Sequence, residues 1–174
     1  MITPFHPFPT LHTERLLLRQ LVAADAPEIF VHRSDPRMLE FVEIPVARTL
    51  EDASQFIQKI DAAIAEQASI YWVITLKNHP ALIGTICLWN LSVETATAEM
   101  GYMLHPDFQG QGYMQEALIR VVDYAFEVMR ADWITAFPHR NNVRSIRLLE
   151  RNGFVRSGES EGYVQFARRA GRRT

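Results

Sequence analysis

The sequence predicts an α+β (mixed α/β) layer fold in one domain, and three observations carry that reading. The periodicities give the order β-α-α-β-β-β-α-β-α-β, in which three strands follow one another without a helix between them, as a doubly wound sheet would not allow. A strand pattern at 98–104 runs into a glycine-rich turn that opens a long amphipathic helix. The 174 residues are 48% apolar, which suits one sizeable core and excludes disorder.

The elements follow in order. After a short Pro-rich lead, 15–21 reads as a first strand. Asp25 can cap a helix with Pro27 in its first turn, running to about Arg33 before Asp35-Pro36 breaks it. Thr49-Leu50-Glu51-Asp52 is a capping-box start, and Ala53, Phe56, Ile57, Ile60 and Ile64 form the apolar stripe of a second helix. Segments 71–76 and 82–91 flank the turn composition Lys77-Asn78-His79-Pro80 and read as a hairpin. Residues 98–104 give the next strand. Met114, Ala117, Leu118, Val121, Val122, Ala125, Phe126 and Met129 recur at the i, i+3, i+4 spacing of one buried helix face. A strand at 133–137, a helix at 142–151 capped by Asn and stopped by Gly153, and a strand from Phe154 complete the order.

The turn Gln109-Gly110-Gln111-Gly112-Tyr113-Met114 has the makings of an anion cradle. Glycines let the backbone approach a ligand, and the helix start behind them presents unpaired N–H groups at a partial positive charge. Taken alone, G-x-G before a helix is more often plain punctuation than a phosphate site. A Walker loop would need Gly-Lys-Ser/Thr where this chain has Gly-Tyr-Met, and a Rossmann fingerprint would need its glycines after the first strand.

Composition excludes other classes. A net charge of −2 provides no field for nucleic acid, and the Arg-rich end at 168–174, with Arg168, Arg169, Arg172 and Arg173, reads as a solvated tail rather than a docking arm. Cys87 is the only cysteine, which suits a reducing, cytoplasmic location, and its apolar run favours a buried structural thiol over a nucleophile. No apolar stretch is long enough for a membrane span, and the N-terminus lacks a signal-peptide core. The six histidines have no paired ligand spacing, so no metal site is expected.

A second motif stands about thirty residues after the glycine turn: Asn142-Val143-Arg144-Ser145, followed by Gly153-Phe154. Together the two motifs resemble the GNAT superfamily of acyl-CoA-dependent N-acetyltransferases, whose loop runs Q/R-x-x-G-x-G/A and is followed by N-x-x-S and a Gly-Phe pair. Thr13-Glu14-Arg15-Leu16-Leu17-Leu18-Arg19, Ser34-Asp35-Pro36 and Ala98-Glu99-Met100-Gly101-Tyr102 narrow the likeness to its RimJ/RimL-type branch of ribosomal-protein N-terminal acetyltransferases. The likeness covers roughly residues 10–160. Met114 departs from the usual small residue of the loop.

The resemblance implies a central mixed, mostly antiparallel sheet flanked by helices. Its strands at 98–104 and 133–137 are expected to be parallel neighbours that splay around acetyl-CoA. It also implies roles. Main-chain groups of Tyr102, Met103 and Leu104 would pair with the pantetheine arm, and backbone N–H groups of Gln109, Gly110, Gln111, Gly112, Tyr113 and Met114 would take the pyrophosphate. Asn142 would hydrogen-bond the pantetheine, cap its helix, or both. Ser145 would be the acid for the departing thiolate, or merely a capping residue, with Tyr163 as its substitute. Glu99 would accept the amine proton, or be an exposed strand carboxylate, with Glu161 second.

The implied partner is a primary amine, either a protein N-terminus or a small molecule, attacking directly in a ternary complex. An α-amine suits a site without a strong base, because a lysine amine must shed an additional ~2.4 pKa units, about 3 kcal/mol. The family usually closes its sheet with a final apolar strand. Here the apolar material ends at residues 161–167, so the last strand is expected to be very short or missing, or its place taken by a second copy in a homodimer. That shortfall leaves a second reading, a non-catalytic acyl-CoA-binding module.

Overall fold

In the computed structural model, residues 5–171 are described. One eight-stranded sheet has the order β1-β2-β3-β4-β5-β6-β8-β7. Its strands are β1 (Leu11–His12), β2 (Leu16–Gln20), β3 (Ile70–Leu76), β4 (His79–Ser92), β5 (Thr97–Leu104), β6 (Trp133–Ala136), β7 (Val155–Ser160) and β8 (Tyr163–Arg169). The helices are α1 (Ala26–His32), α2 (Pro36–Leu39), α3 (Leu50–Ala65), α4 (Tyr113–Glu127) and α5 (Val143–Arg151).

Strand alternation explains why helices cover both faces. In β3, Trp72 and Ile74 join α4 residues such as Leu118 and Val121 and α5 residues Leu148 and Leu149 in the larger core. Val73 points the other way, into a smaller core with Ile29 of α1 and Ala53 and Ile57 of α3. The Thr49 cap accepts from the Asp52 N–H while Asp52 reaches back to the Thr49 N–H, the predicted reciprocal box.

All neighbouring strands are antiparallel except β5 and β6. That parallel pair is in register only over Thr97↔Trp133, Ala98↔Ile134 and Glu99↔Thr135. Beyond Glu99, β5 continues to Leu104 with no partner on its β6 side, so the pair splays as expected. Gly84 sets β4 against this stretch. A Cβ there would lie 2.6 Å from the Met103 carbonyl oxygen, so any side chain would push β5 away.

Four expectations are corrected. The final strand is neither missing nor short: β8 spans 7 residues and pairs with β6 on one side and β7 on the other, so no partner copy is needed to close the sheet there. Arg168 and Arg169 belong to it, opposite Ile134 and Trp133, rather than to a solvated tail; Arg172 and Arg173 lie outside the described residues. Burial alternates along β8 as far as Ala167, and the charged residues at its end mask the strand in sequence.

Asp25 stands at the N-cap of α1 but does not cap that helix with its side chain. Its carboxylate turns back to the Val22 N–H and to the Arg19 guanidinium. Finally, β4 begins at His79, so the β3–β4 turn is Lys77-Asn78 alone, and Pro80 lies in the strand.

Candidate active site

The glycine turn bridges the splayed end of β5 and α4. Gly112 is the N-cap of α4 at φ 80°, a left-handed conformation that suits glycine, and Gly110 has φ 76° with open space where a Cβ would be. The first N–H groups of α4 have no intrahelical acceptor, so turn and helix together form a concave set of donors at the positive end of a four-turn helix. These features fit a pyrophosphate.

The turn is braced from both sides. Gln109 donates from Nε2 to the Leu104 carbonyl at 3.0 Å, and its Oε1 accepts from Arg144 of α5. From the N-terminus, Arg15 Nη1 donates to the Gln111 carbonyl at 3.0 Å, and its guanidinium lies 4.4 Å from the centre of the Tyr113 ring. Arg15 also holds Glu116 of α4: Nε to Oε2 at 2.8 Å and backbone N–H to Oε1 at 2.7 Å, with the Thr13 hydroxyl on the same Oε1. The Thr13-Glu14-Arg15 motif thus acts on the helix that carries the turn. These contacts hold the Glu116 carboxyl below its ordinary range against the opposing effect of burial.

A cleft of about 1210 Å³ opens where β5 and β6 part, and it extends towards α3 and the 41–44 segment. Glu99, Tyr102, Met103, Asn142 and Ser145 all line it. Leu104 and Gln109 to Met114 do not; Leu104 ends β5, and Gln109 to Met114 form the turn into α4. The predicted residues therefore divide into a cleft group and a cradle group joined by β5. This geometry suits an elongated ligand with an anionic middle.

Within the cleft, Glu99 is half-buried. Burial pushes its carboxyl above the ordinary carboxylate range, and the Asn90 amide, donating to Oε2 at 2.9 Å, only partly offsets this. Asn90 stands at φ 46° where the β4–β5 register shifts, a conformation asparagine tolerates well. No described cation forms an ion pair with Glu99. A carboxylate so placed is a stronger base than one free in water.

Ser145 has a partner that sequence reading missed. The Tyr102 phenol lies 2.6 Å from Ser145 Oγ, and burial pushes that phenol up to about 12, so it stays protonated and can donate. Tyr102 had been assigned only through its main chain; nothing in the spacing of 102 and 145 announces a contact made across the fold. Asn142 Oδ1 accepts the Ser145 N–H at 3.1 Å, so Asn142 does cap α5, and it also lines the cleft.

The substitute residues fare differently. Tyr163 reaches the cleft, with its phenol raised by desolvation and by the Glu43 carboxylate beside it. Glu161 does not: it is exposed in the Glu161-Gly162 turn between β7 and β8, with φ 28°. Cys87 lines the cleft wall, but burial pushes its thiol up to about 12, which leaves it a poor nucleophile. Among the described residues there is no cluster of three His, Cys, Asp or Glu able to hold a metal, and no helix long and apolar enough to cross a membrane.

Comparisons with known proteins agree with this geometry. Residues 15–155 match the family model described as an acetyltransferase (GNAT) domain. The chain is 32% identical over 157 residues to YoaA of Bacillus subtilis (strain 168), an uncharacterized N-acetyltransferase, covering 90% of this chain and 89% of that one. Among solved structures, a ribosomal-protein alanine acetyltransferase from Vibrio fischeri superposes with a TM-score of 0.83 at 22% identity, covering 92% of this chain and 96% of that one. The ribosomal-protein α-N acetyltransferase RimL, solved with coenzyme A, gives 0.83 at 18% identity, covering 92% and 98%. A matched model over most of the chain and a relative of this identity over nine-tenths of it, joined to a braced glycine turn and a splayed parallel pair, make this chain a member of the GNAT acetyltransferase family.

Proposed function

We propose that this GNAT N-acetyltransferase acts on a primary amine, a protein N-terminal α-amine or a small-molecule amine, by direct attack in a ternary complex. Acetyl-CoA, when bound, supplies the activated thioester. The cradle at Gln109 to Met114 would hold its pyrophosphate through backbone N–H groups, and the unpaired β5 edge at Tyr102 and Met103, with Asn142 opposite, would hold its pantetheine. Leu104 is a weaker candidate, since its carbonyl already accepts from Gln109.

Glu99 accepts the proton that the amine sheds as its nitrogen bonds the acetyl carbon. As the carbon–sulfur bond breaks, the Ser145 hydroxyl gives its proton to sulfur while the Tyr102 phenol, which keeps its own proton, donates a hydrogen bond to Ser145 Oγ across 2.6 Å; water then returns a proton to Ser145, and the proton taken by Glu99 is released to solvent. The observation that carries this reading is the half-buried Glu99 carboxyl, raised by desolvation and lacking a described cation, in the same cleft as the Tyr102–Ser145 pair. The structural likeness to ribosomal-protein acetyltransferases supports a protein N-terminus among the acceptors to be tried. The seven-residue β8 removes the ground for a non-catalytic binding module, which rested on a missing final strand.

Thiol release from acetyl-CoA with a panel of peptides, amino acids and polyamines tests the proposal. Initial-velocity lines that intersect as both substrates are varied, with acetylated amine as product, are expected. Parallel lines, the mark of a covalent acetyl-enzyme, would overturn direct attack.

A further inference from the structure

Among the described residues that line the cleft stands an arginine that the proposed reaction does not use. Arg33, just past the C-terminal end of α1, lines it together with Phe56 of α3 and Tyr71 of β3. Its guanidinium lies 4.0 Å from the centre of the Phe56 ring, and Nη2 donates to the Pro45 carbonyl at 3.3 Å. None of the described carboxylates pairs with it, whereas Arg15, Arg19, Arg37 and Arg156 each hold one. Burial holds the Arg33 pKa below its ordinary value, and the only ionisable group opposing that shift is the Tyr71 phenol. Arg33 is partly buried, so its guanidinium is only partly desolvated, and its planar fork suits a carboxylate.

The ring beneath Arg33 fixes its plane, and the Pro45 carbonyl takes one N–H, which leaves further donors for a ligand. At another place in the same cleft stands Glu99, where the amine is to be deprotonated. A cleft with a carboxylate and an unpaired guanidinium matches a ligand carrying both charges in the opposite sense.

We infer that the acetyl acceptor carries a carboxylate in addition to its amine, and that Arg33 binds it. This rests on the reading of the cleft as the acceptor site. Such an amino-carboxylate can be a small zwitterion or a peptide whose first residue is acidic; the chemistry at Arg33 is the same. Arg33 then sets specificity rather than rate: it retains acceptors by their anionic end and places the amine towards Glu99.

The test measures kcat/KM with acetyl-CoA for two isosteric pairs: β-alanine against β-alaninamide, and a peptide beginning with Asp against the same peptide beginning with Asn. The carboxylate member of at least one pair is expected to be favoured roughly tenfold or more, and the pair that responds tells the small zwitterion from the peptide. In Arg33→Met, which keeps an apolar stem over Phe56, that ratio should fall to about one, and Arg33→Lys should restore part of it. Equal kcat/KM within both pairs in the wild type overturns the inference while leaving amine acetylation standing, and this arm holds even if neither variant folds. Thermal shift in the presence of CoA reads binding separately. If no amine turns over, the acceptor-site reading fails; stabilisation by β-alanine but not β-alaninamide, lost in Arg33→Met, would still support a carboxylate site at Arg33, and its absence would overturn that too.

Discussion

At Glu99 the residue proposed as proton acceptor works against stability. Its folded pKa is raised, so between the unfolded and folded values the native state binds more protons than the unfolded chain, and stability falls as pH rises through that window. Above the window the full penalty of a half-buried charge persists. Glu99→Gln is therefore expected to raise resistance to urea at neutral pH, with the gain fading below the ordinary carboxylate range; a variant less stable than wild type at pH about 7 would contradict the cause assigned to the shift. Ser145 makes a different demand. On the proposed role of its hydroxyl as acid for the departing thiolate, Ser145→Ala should lower kcat roughly 10- to 100-fold with little change in acetyl-CoA affinity, and Tyr102→Phe should lower kcat in the same direction. Lost thermal stability with wild-type turnover would make Ser145 a packing residue of α5 only.

Elements convey these residues to their places, and two ion pairs show how differently that is done. Arg15 and Glu116 tie the N-terminal lead to α4 beneath the glycine turn, in a partly exposed setting where a charge pair contributes little to folding. Its consequence is positional: Glu116 would otherwise place an unneutralised carboxylate beside the anion cradle. Arg15→Gln should raise KM for acetyl-CoA about threefold to tenfold while kcat stays close to wild type. A fall in kcat alone would contradict that role. Arg19 and Asp25 are the reverse case. Asp25 is 3% exposed and accepts two guanidinium bonds and the Val22 N–H, so Asp25→Ala leaves a half-buried guanidinium unpaired and should cost about 3 kcal/mol in denaturant unfolding, with acetyl-CoA KM unchanged.

Over the whole molecule, what the sequence made legible follows from local physics. The Thr49 box, the α4 stripe as far as Phe126, the Asn142 cap and the glycine turn are settled within a few residues of chain and stand where the spacing put them, whereas Met129, read as the last of the stripe, joins the core from just past the end of α4. What escaped depends on contacts between distant segments. Arg15 meets Glu116 about a hundred positions away, Tyr102 meets Ser145 across the splay, and Arg33 lies over Phe56. The strand β8 escaped because its place between β6 and β7 is a matter of topology, and its closing arginines resemble a tail. Of the residues read from motifs, Glu99, Tyr102, Met103, Asn142 and Ser145 share one cleft, whereas Glu161 is turned out to solvent on a hairpin tip. The fold's main product is thus a carboxylate of shifted pKa at the point where β5 and β6 part. The pH dependence of kcat/KM for wild type and Glu99→Gln, on one acceptor that turns over, tests that claim directly. A deficit is expected near pH 7, about tenfold for an α-amine and larger for a lysine-like amine, narrowing as the pH approaches the amine's own pKa and it loses its proton unaided. Profiles that run parallel from about pH 6 to about pH 9 would contradict Glu99 as the proton acceptor.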